Sequence, residues 1–271
     1  MEKNEARNRR VKWTKTSSAI LGGFLLVLFL IGYVWWPLLE EYLSYFNPAF
    51  PIWRQIDWLL IGNFLVMSVL ITLNADICED LPYLLIALAG GYIIEAWGTQ
   101  SGLWTYYTLE KPPLWIIPAW PIAALAVKRS YTLIQGTLKR IPGTLLDRAY
   151  WLIFGVFFLL LIDFVLPAFR HPLTILALLM CVLVIFLGKD HRAKLSIFSL
   201  GSILGYFLER WGTTRLCWTY YTGGTPPFFT VLAHGMASIA IFQVHEWTRL
   251  GYKYLLSRIF GRDYIPGSKE T

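Results

Sequence analysis

The stretch Gly91–Pro113 reads GYIIEAWGTQSGLWTYYTLEKPP, and the stretch Gly205–Pro227 reads GYFLERWGTTRLCWTYYTGGTPP. The second stretch lies 114 residues after the first, and 13 of the 23 aligned positions are identical. Because the shared residues include several tryptophans and tyrosines, which are rare in most chains, we interpret the match as an internal duplication. In both copies an apolar run ends near the glutamate, an aromatic loop follows, and a Pro-Pro pair opens the next apolar run.

The composition around these copies is that of a membrane protein. The 271-residue chain is 56% apolar and 15% charged, whereas soluble domains are about 45–50% apolar and about 25% charged. A transmembrane helix needs about 20 residues, and tilt can accommodate shorter apolar runs. Because the runs are continuously apolar rather than alternating, the sequence predicts an all-α, polytopic membrane protein with about eight transmembrane helices. The runs are Ala19–Trp36, Trp58–Leu73, Leu81–Trp97, Leu114–Val127, Ala149–Leu166, Leu173–Leu187, Leu195–Leu208 and Phe228–Val244.

The duplication sets the predicted domain organisation. Four helices in each half is an even number, so both halves would enter the membrane from the same side. The sequence therefore predicts two parallel four-helix repeats, over residues 18–127 and 150–247. A cytoplasmic linker, 128–149, would join them, and basic cytoplasmic segments would flank them at 1–17 and 248–271.

The distribution of positive charge supports this orientation. With the amino terminus inside, the predicted inner segments hold 19 of the 24 lysine and arginine residues. Such residues are retained on the cytoplasmic side of a membrane. We therefore interpret the net charge of +7 as a consequence of how the chain is oriented in the membrane. We expect a multi-pass protein of the cell membrane with both termini in the cytoplasm. No basic stripe accompanies a recognition fold, so we expect membrane lipids and no nucleic acid as partners.

Four ionisable residues are the candidate catalytic residues. At about 1.5 Å per residue, Glu95, Glu209, Asp163 and His234 all fall in the outer half of their helices. Ionisable groups inside a membrane are costly and usually face a cavity or one another. Burial and mutual repulsion favour one protonated and one ionised carboxyl group, which form an acid and base pair. A structural alternative for His234 is a buried imidazole that bonds across helices.

Aromatic and hydroxyl side chains of the two copies are the candidate substrate-binding residues. Tyr92 and Tyr206 each lie three residues before the glutamate, on the same helix face, so their hydroxyls are expected to donate to the carboxylates. Tryptophan and tyrosine are also enriched at membrane interfaces, so membrane anchoring is the alternative interpretation. The remaining candidates are Trp97, Thr99, Trp104, Tyr106, Tyr107, Trp211, Thr213, Trp218, Tyr220 and Tyr221.

The absence of common cofactor, nucleophile and metal motifs from the sequence limits the kinds of reaction that we expect. It contains no P-loop, dinucleotide-binding fingerprint, GxSxG or HxxxH pattern, so it predicts no cofactor and no metal site. The expected ligand is a lipid-soluble small molecule. The oligomeric state is left open.

A motif in the first copy carries a family resemblance. The pattern E-x-x-G-T-x-x-G-x-W-T-Y-Y-T at Glu95–Thr108, followed by an apolar stretch with Pro118 and Pro121, resembles membrane proteins of carotenoid biosynthesis. It is similar to the core motif of the carotenoid hydratase family and to the lycopene cyclase domain, which is also built from duplicated units. The resemblance implies acid–base chemistry on a long polyene, with the repeated glutamates as the matching acids.

The chain also departs from both family patterns. The Pro-x-Glu-Glu of the cyclases is replaced by PAWP at 118–121 and by LAHG at 232–235. Both copies therefore lack the carboxylate pair that would carry cyclisation, and the P-F-G of the hydratases is absent too. The primary hypothesis is a membrane enzyme that uses general acid–base chemistry on an isoprenoid or carotenoid-like substrate. The alternatives are a proton-coupled transporter, a lipid-binding module without catalysis, and a structural subunit.

Overall fold

The computed structural model describes residues 13–138, 142–188 and 190–260. Within these ranges the chain forms α-helices joined by turns and short 3₁₀ segments, together with one two-stranded ribbon. The all-α class predicted from the sequence is confirmed. The helices are α1 (Lys15–Val34), α2 (Trp36–Ser44), α3 (Trp58–Thr72), α4 (Ile77–Gln100), α5 (Ala119–Leu138), α6 (Gly143–Val165), α7 (Pro172–Phe186), α8 (His191–Thr214) and α9 (Phe228–Phe260). The strands are β1 (Trp104–Tyr106) and β2 (Trp218–Tyr220).

Each predicted apolar run overlaps an α-helix, but the bounds differ. The run Leu114–Val127 starts too early, because α5 begins only at Ala119. The short helix α2 was not predicted, since Glu40 and Glu41 interrupt its apolar pattern. Pro37 lies in the first turn of α2, where a missing N–H is tolerated, and it separates α2 from α1.

The helices also extend into the predicted linker and tail. α5 continues to Leu138, α6 begins at Gly143, and α9 runs to Phe260 as one helix. Residues 1–12 of the predicted basic amino-terminal segment, 139–141 of the linker and 261–271 of the tail lie outside the described residues.

Four of the described helices are long and apolar enough to cross a membrane: α1, α4, α9, and α6 with the turn after it. The apolar helices α3 and α7 have 15 residues each, or about 22 Å, against roughly 30 Å for the hydrocarbon core. Large apolar side chains point outward from the described helices, for example Phe29 with 74% and Leu65 with 63% of its surface exposed. Exposed apolar surface of this extent is typical of surfaces that contact a membrane or another protein. These features are those of a helical membrane protein.

The centre of the bundle is built from α4, α5, α8 and α9. α4 packs on α5 and α9, and α8 packs on α9 and α5. Outside them, α3 packs on α5 and α8 with α1 beside it, and α7 packs on α9 and α4 with α6 beside it. Small residues permit the closest approach: a Cβ atom at Gly201 of α8 would lie 2.9 Å from the Cα atom of Gly235 in α9.

Two buried charges are compensated in different ways. Asp80 of α4 is fully buried and forms ion pairs with Arg129 and, at 3.4 Å, with Lys128 of α5. Lys194 lies 114 residues after Asp80, and its ammonium group donates to the Val184 carbonyl at 2.7 Å. A salt bridge satisfies the first charge, and carbonyl groups at the end of α7 satisfy the second.

The two aromatic loops pair with each other as an antiparallel ribbon. Trp104 of β1 lies opposite Tyr220 of β2, and Tyr106 lies opposite Trp218. At its centre the Thr105 and Thr219 hydroxyl oxygens are 3.2 Å apart. The sequence predicted loops here, because three-residue strands carry no periodic signal of their own. The ribbon packs on the ends of α4 and α8, directly beside the repeated glutamates.

Candidate functional site

Glu95 is a buried carboxylate of α4, with 4% of its surface exposed. It accepts three side-chain hydrogen bonds. Trp104 Nε1 donates to Oε2 at 3.0 Å, the Tyr106 hydroxyl donates to Oε1 at 2.9 Å, and Trp120 Nε1 donates to Oε1 at 3.1 Å. Since an indole N–H can only donate, Glu95 is the acceptor in both tryptophan bonds, and both of its oxygens have partners.

Glu209 of α8 has nearly the same environment, with 3% of its surface exposed. Trp218 Nε1 donates to Oε2 at 2.9 Å, and the Tyr220 hydroxyl donates to Oε1 at 2.7 Å. The third partner is His234, whose Nε2 lies 2.9 Å from Oε1. The two copies therefore make the same tryptophan and tyrosine bonds and differ in the third partner.

That third partner comes from equivalent positions of the two copies. Trp120 on α5 and His234 on α9 are 114 residues apart, which is the spacing of the duplication. Their rings stack on each other, with centroids 5.8 Å apart and planes 16° from parallel. Glu95, Trp120, His234 and Glu209 therefore form a continuous row, and only its second half contains an imidazole.

Repeated glycines make room for the rings of this row. A Cβ atom at Gly91 would lie 2.3 Å from Trp120 Cγ, and one at Gly205 would lie 2.5 Å from His234 Cβ. At Gly98 and Gly212 a Cβ atom would approach the indoles of Trp104 and Trp218 within about 2 Å. The duplicated glycines thus allow four rings to reach the two carboxylates.

The ribbon tyrosines donate to the glutamates as neutral phenols. Burial raises the pKa of the Tyr106 hydroxyl well above its ordinary value of 10.0, and the charge of Glu95 adds to this. Burial raises the pKa of Tyr220 in the same way, with Glu209 as the nearby charge. Both phenols therefore stay protonated and keep their hydrogen bonds over the physiological pH range.

Two apolar clefts meet at this row. The larger cleft, with a cavity volume of about 490 Å³, lies between α4, α6, α7 and α9 and includes Glu95, Glu209 and His234 in its wall. The smaller cleft, with about 130 Å³, lies between α1, α3, α5 and α8 and includes Glu95 and His234. Most other lining side chains of both clefts are aliphatic or aromatic, which suits apolar ligands.

The remaining predicted aromatic and hydroxyl residues have divided roles. Trp97 and Trp104 line the larger cleft with Tyr220, and Trp211 and Trp218 line the smaller one. Thr99 and Thr213 are buried and donate to the backbone carbonyls of Glu95 and Glu209, each at 2.6 Å. The Tyr107 and Tyr221 hydroxyls donate to the carbonyls of Val34 and Phe164 near the ends of α1 and α6. The two threonines and these two tyrosines are thus bonded to backbone carbonyls.

Three predicted positions lie away from the buried cluster. Tyr92 and Tyr206 are 48% and 47% exposed, and the predicted bonds from their hydroxyls to the glutamates are wrong. Three helical residues turn the chain by about 300°, which leaves each tyrosine about 60° from its glutamate around the helix axis. This offset places the tyrosine outside the packed face that buries the carboxylate. Asp163 is also exposed, and the structure does not bring it to either glutamate.

Sequence reasoning did not select Trp120 as a site residue. A lone tryptophan in an apolar run is usually a packing residue, which hid its contact with Glu95. The available signal was its spacing of 114 residues from His234. Applying the duplication beyond its most similar stretch would have found it.

Comparisons with protein-family models, curated proteins and solved structures find no match for this chain. Among the described residues, no group of three or more histidine, cysteine, aspartate or glutamate side chains could hold a metal ion. The site is therefore interpreted from its own geometry: a row of two carboxylates, an indole and an imidazole between two apolar clefts.

Proposed function

We propose that this protein is an integral membrane enzyme that uses general acid–base chemistry on a lipid-soluble substrate bound in the larger cleft. The observation that carries the proposal is the hydrogen bond between His234 and Glu209 at the wall of that cleft. A carboxylate bonded to an imidazole orients the ring and stabilises its protonated form. Imidazole is the side chain that most often transfers protons near neutral pH.

In this proposal His234 exchanges the proton and Glu209 positions it. The imidazole is 24% exposed, and its Nδ1 atom makes no hydrogen bond to another described residue. Nδ1 is therefore the atom available to a substrate. The Trp120 ring stacks on the imidazole, and the bond of its indole to Glu95 would hold the two rings in place.

The substrate class that we propose is an isoprenoid or carotenoid-like molecule. The apolar lining of the larger cleft supports a long hydrocarbon, and the motif beginning at Glu95 supplies the resemblance to carotenoid-biosynthesis proteins. Protonation of a double bond leaves a cation on carbon. The aromatic rings of Trp104, Phe157 and Phe164 line the cleft and would stabilise that charge.

We also propose the finer membrane arrangement: eight transmembrane helices in two parallel repeats, in the cell membrane, with both termini cytoplasmic. The equivalent hydrogen bonds of Glu95 and Glu209 support the repeats. The concentration of lysine and arginine in the predicted inner segments supports the orientation.

The test compares the lipids that co-purify with wild-type protein and with His234→Gln. Each protein is expressed in the same host, purified in mild detergent, and its bound lipids are identified by mass spectrometry. Wild type should carry a converted lipid and His234→Gln the unconverted parent, because loss of a general acid or base slows turnover by about 10²–10⁴-fold. Asp163→Asn is the matched control, since this carboxylate is exposed, and it should resemble wild type. Identical lipids in wild type and His234→Gln would contradict the proposal.

A second candidate is a lipid-binding module without catalysis. It is favoured by the complete hydrogen bonding of both glutamates, which fixes them rather than leaving them free to move protons. The same extraction separates the two candidates, because a binding module carries one lipid in all variants. Proton-coupled transport would instead appear as ligand uptake into vesicles driven by a pH gradient.

A further inference from the structure

Glu95 is a buried carboxylate without a cationic partner among the described residues. Its hydrogen-bond partners are two indoles and one phenol, and none of the ion pairs in the described part of the chain includes it. Asp80, on the same helix, is also buried, but it has Arg129 and Lys128 as countercharges. A buried charge is costly unless an opposite charge lies beside it. The fold therefore compensates one buried carboxylate of α4 and not the other.

The two copies differ in the positive charge that they can supply. In the second copy, His234 forms an ion pair with Glu209 when its imidazole is protonated. The equivalent ring of the first copy is the Trp120 indole, which donates a hydrogen bond to Glu95 and stays neutral. With both carboxylates ionised and the imidazole protonated, the row therefore keeps one net negative charge.

The larger cleft places this charge beside a cavity. Glu95 and Glu209 lie in its wall, and none of the described residues that line it is a lysine or arginine. Trp104, Phe157 and Phe164 contribute aromatic rings to the same wall. Carboxylates and the faces of aromatic rings both attract cations. At about 490 Å³, the cavity falls within the range of small-molecule sites.

The lining of the cleft also indicates which kind of cation fits. An inorganic ion loses water ligands on binding and needs several protein ligands in their place. Among the described residues, no group of three or more histidine, cysteine, aspartate or glutamate side chains could supply them. An organic cation instead carries its charge on an apolar body, which suits the aliphatic and aromatic walls of this cleft.

We propose that the larger cleft binds a hydrophobic organic cation, such as a quaternary ammonium ion, with its charge beside Glu95 and its apolar body between α4, α6, α7 and α9. This binding goes beyond the proposed function, because it requires the charge of Glu95 and no proton transfer by His234. The same negative charge would stabilise the cation that protonation of a double bond leaves in this cleft.

The experiment compares two ions of the same shape and opposite charge. Tetraphenylphosphonium is the cationic probe, and tetraphenylborate is its anionic counterpart. Each ion is titrated into full-length protein in an uncharged detergent, and binding is measured by isothermal titration calorimetry against detergent alone. Wild-type protein should bind tetraphenylphosphonium saturably and tetraphenylborate at least about tenfold more weakly, because a charge several ångströms from a carboxylate contributes this factor at the effective dielectric constant of a protein.

Three variants test where the cation binds. Glu95→Gln removes the charge and keeps the size of the side chain, so it should weaken tetraphenylphosphonium binding by about tenfold or more. Glu110→Gln makes the same change at an exposed carboxylate after β1, and it should bind the ion as wild type does. Ala237→Leu narrows the larger cleft and keeps both carboxylates, and it should also weaken binding.

The proposal is overturned if wild type binds no tetraphenylphosphonium saturably or binds the two ions equally. It is also overturned if folded Glu95→Gln or Ala237→Leu binds tetraphenylphosphonium as tightly as wild type does. Unfolding temperatures identify a variant that does not fold, and the comparison of the two ions on wild-type protein then decides. Because neither ion reacts, the titrations are separate from lipid conversion, so a loss of conversion in His234→Gln leaves the binding result intact.

Discussion

Substitution of two adjacent glycines in α4 tests whether the row of rings is as tightly built as the structure indicates. A Cβ atom at Gly91 would lie 2.3 Å from Trp120, whereas one at Gly90 would meet Ile241 at 3.5 Å, an ordinary contact. Both glycines are inside the same helix, so alanine gains about 1 kcal/mol of helix propensity at either position. The difference between Gly91→Ala and Gly90→Ala therefore isolates the contact with Trp120.

The size of that difference follows from two costs. Overpacking a filled interior costs about 1–3 kcal/mol. Displacing the Trp120 ring also breaks its bond to the buried Glu95 carboxylate, and a hydrogen bond to a charged group contributes about 1.5–3 kcal/mol. We expect Gly91→Ala to be roughly 3–5 kcal/mol less stable than Gly90→Ala.

The assay is reversible unfolding in mixed micelles, followed by circular dichroism. Gly205→Ala, whose Cβ atom would lie 2.5 Å from His234, should fall in the same range as Gly91→Ala. Replacing Trp120 by leucine in the Gly91→Ala background should recover the overpacking cost but not the lost hydrogen bond. Equal stability of Gly90→Ala and Gly91→Ala would refute the described packing of Trp120 against α4.

Three further predictions address other parts of the molecule. Asp80→Asn should destabilise the protein by about 3 kcal/mol or more in the same unfolding assay, because it leaves the partly buried Arg129 without its countercharge; stability equal to wild type would show that the pair contributes nothing. Tyr106→Phe should cost about 1–3 kcal/mol, since a buried carboxylate loses one of its donors, yet should change the co-purified lipid much less than His234→Gln does. A cysteine replacing Thr225 should react with a membrane-impermeant maleimide added to intact cells, whereas one replacing Gln135 should react only after permeabilisation; the reverse pattern would invert the proposed topology.

The helices could be predicted from the sequence because continuous apolar runs leave few alternatives in a membrane protein. The ends of the helices were harder to predict from the sequence, because α5 and α9 continue into basic segments without a change of conformation. The ribbon could not be foreseen. Its register depends on contact between Trp104 and Tyr220, which are far apart in the chain, and not on any local pattern.

The candidate site could be predicted from the sequence only within the stretches where the duplication was recognised. It identified Glu95, Glu209 and the ribbon aromatic residues, because identical residues in both copies indicate a shared role. The duplication could not decide whether Tyr92 or Tyr106 donates to Glu95. Helical spacing favours Tyr92, and only the folded loop brings Tyr106 to the carboxylate.

The β1–β2 ribbon connects the ends of α4 and α8, because each strand packs on one of these helices and the two strands pair with each other. It joins two segments that are 114 residues apart in the chain, and it anchors Trp104, Tyr106, Trp218 and Tyr220 over the two carboxylates. The ribbon therefore covers both glutamates where it packs on the ends of α4 and α8. Under the proposed function, a ligand would therefore reach the larger cleft between the helices, from the surrounding lipid, rather than past the ribbon.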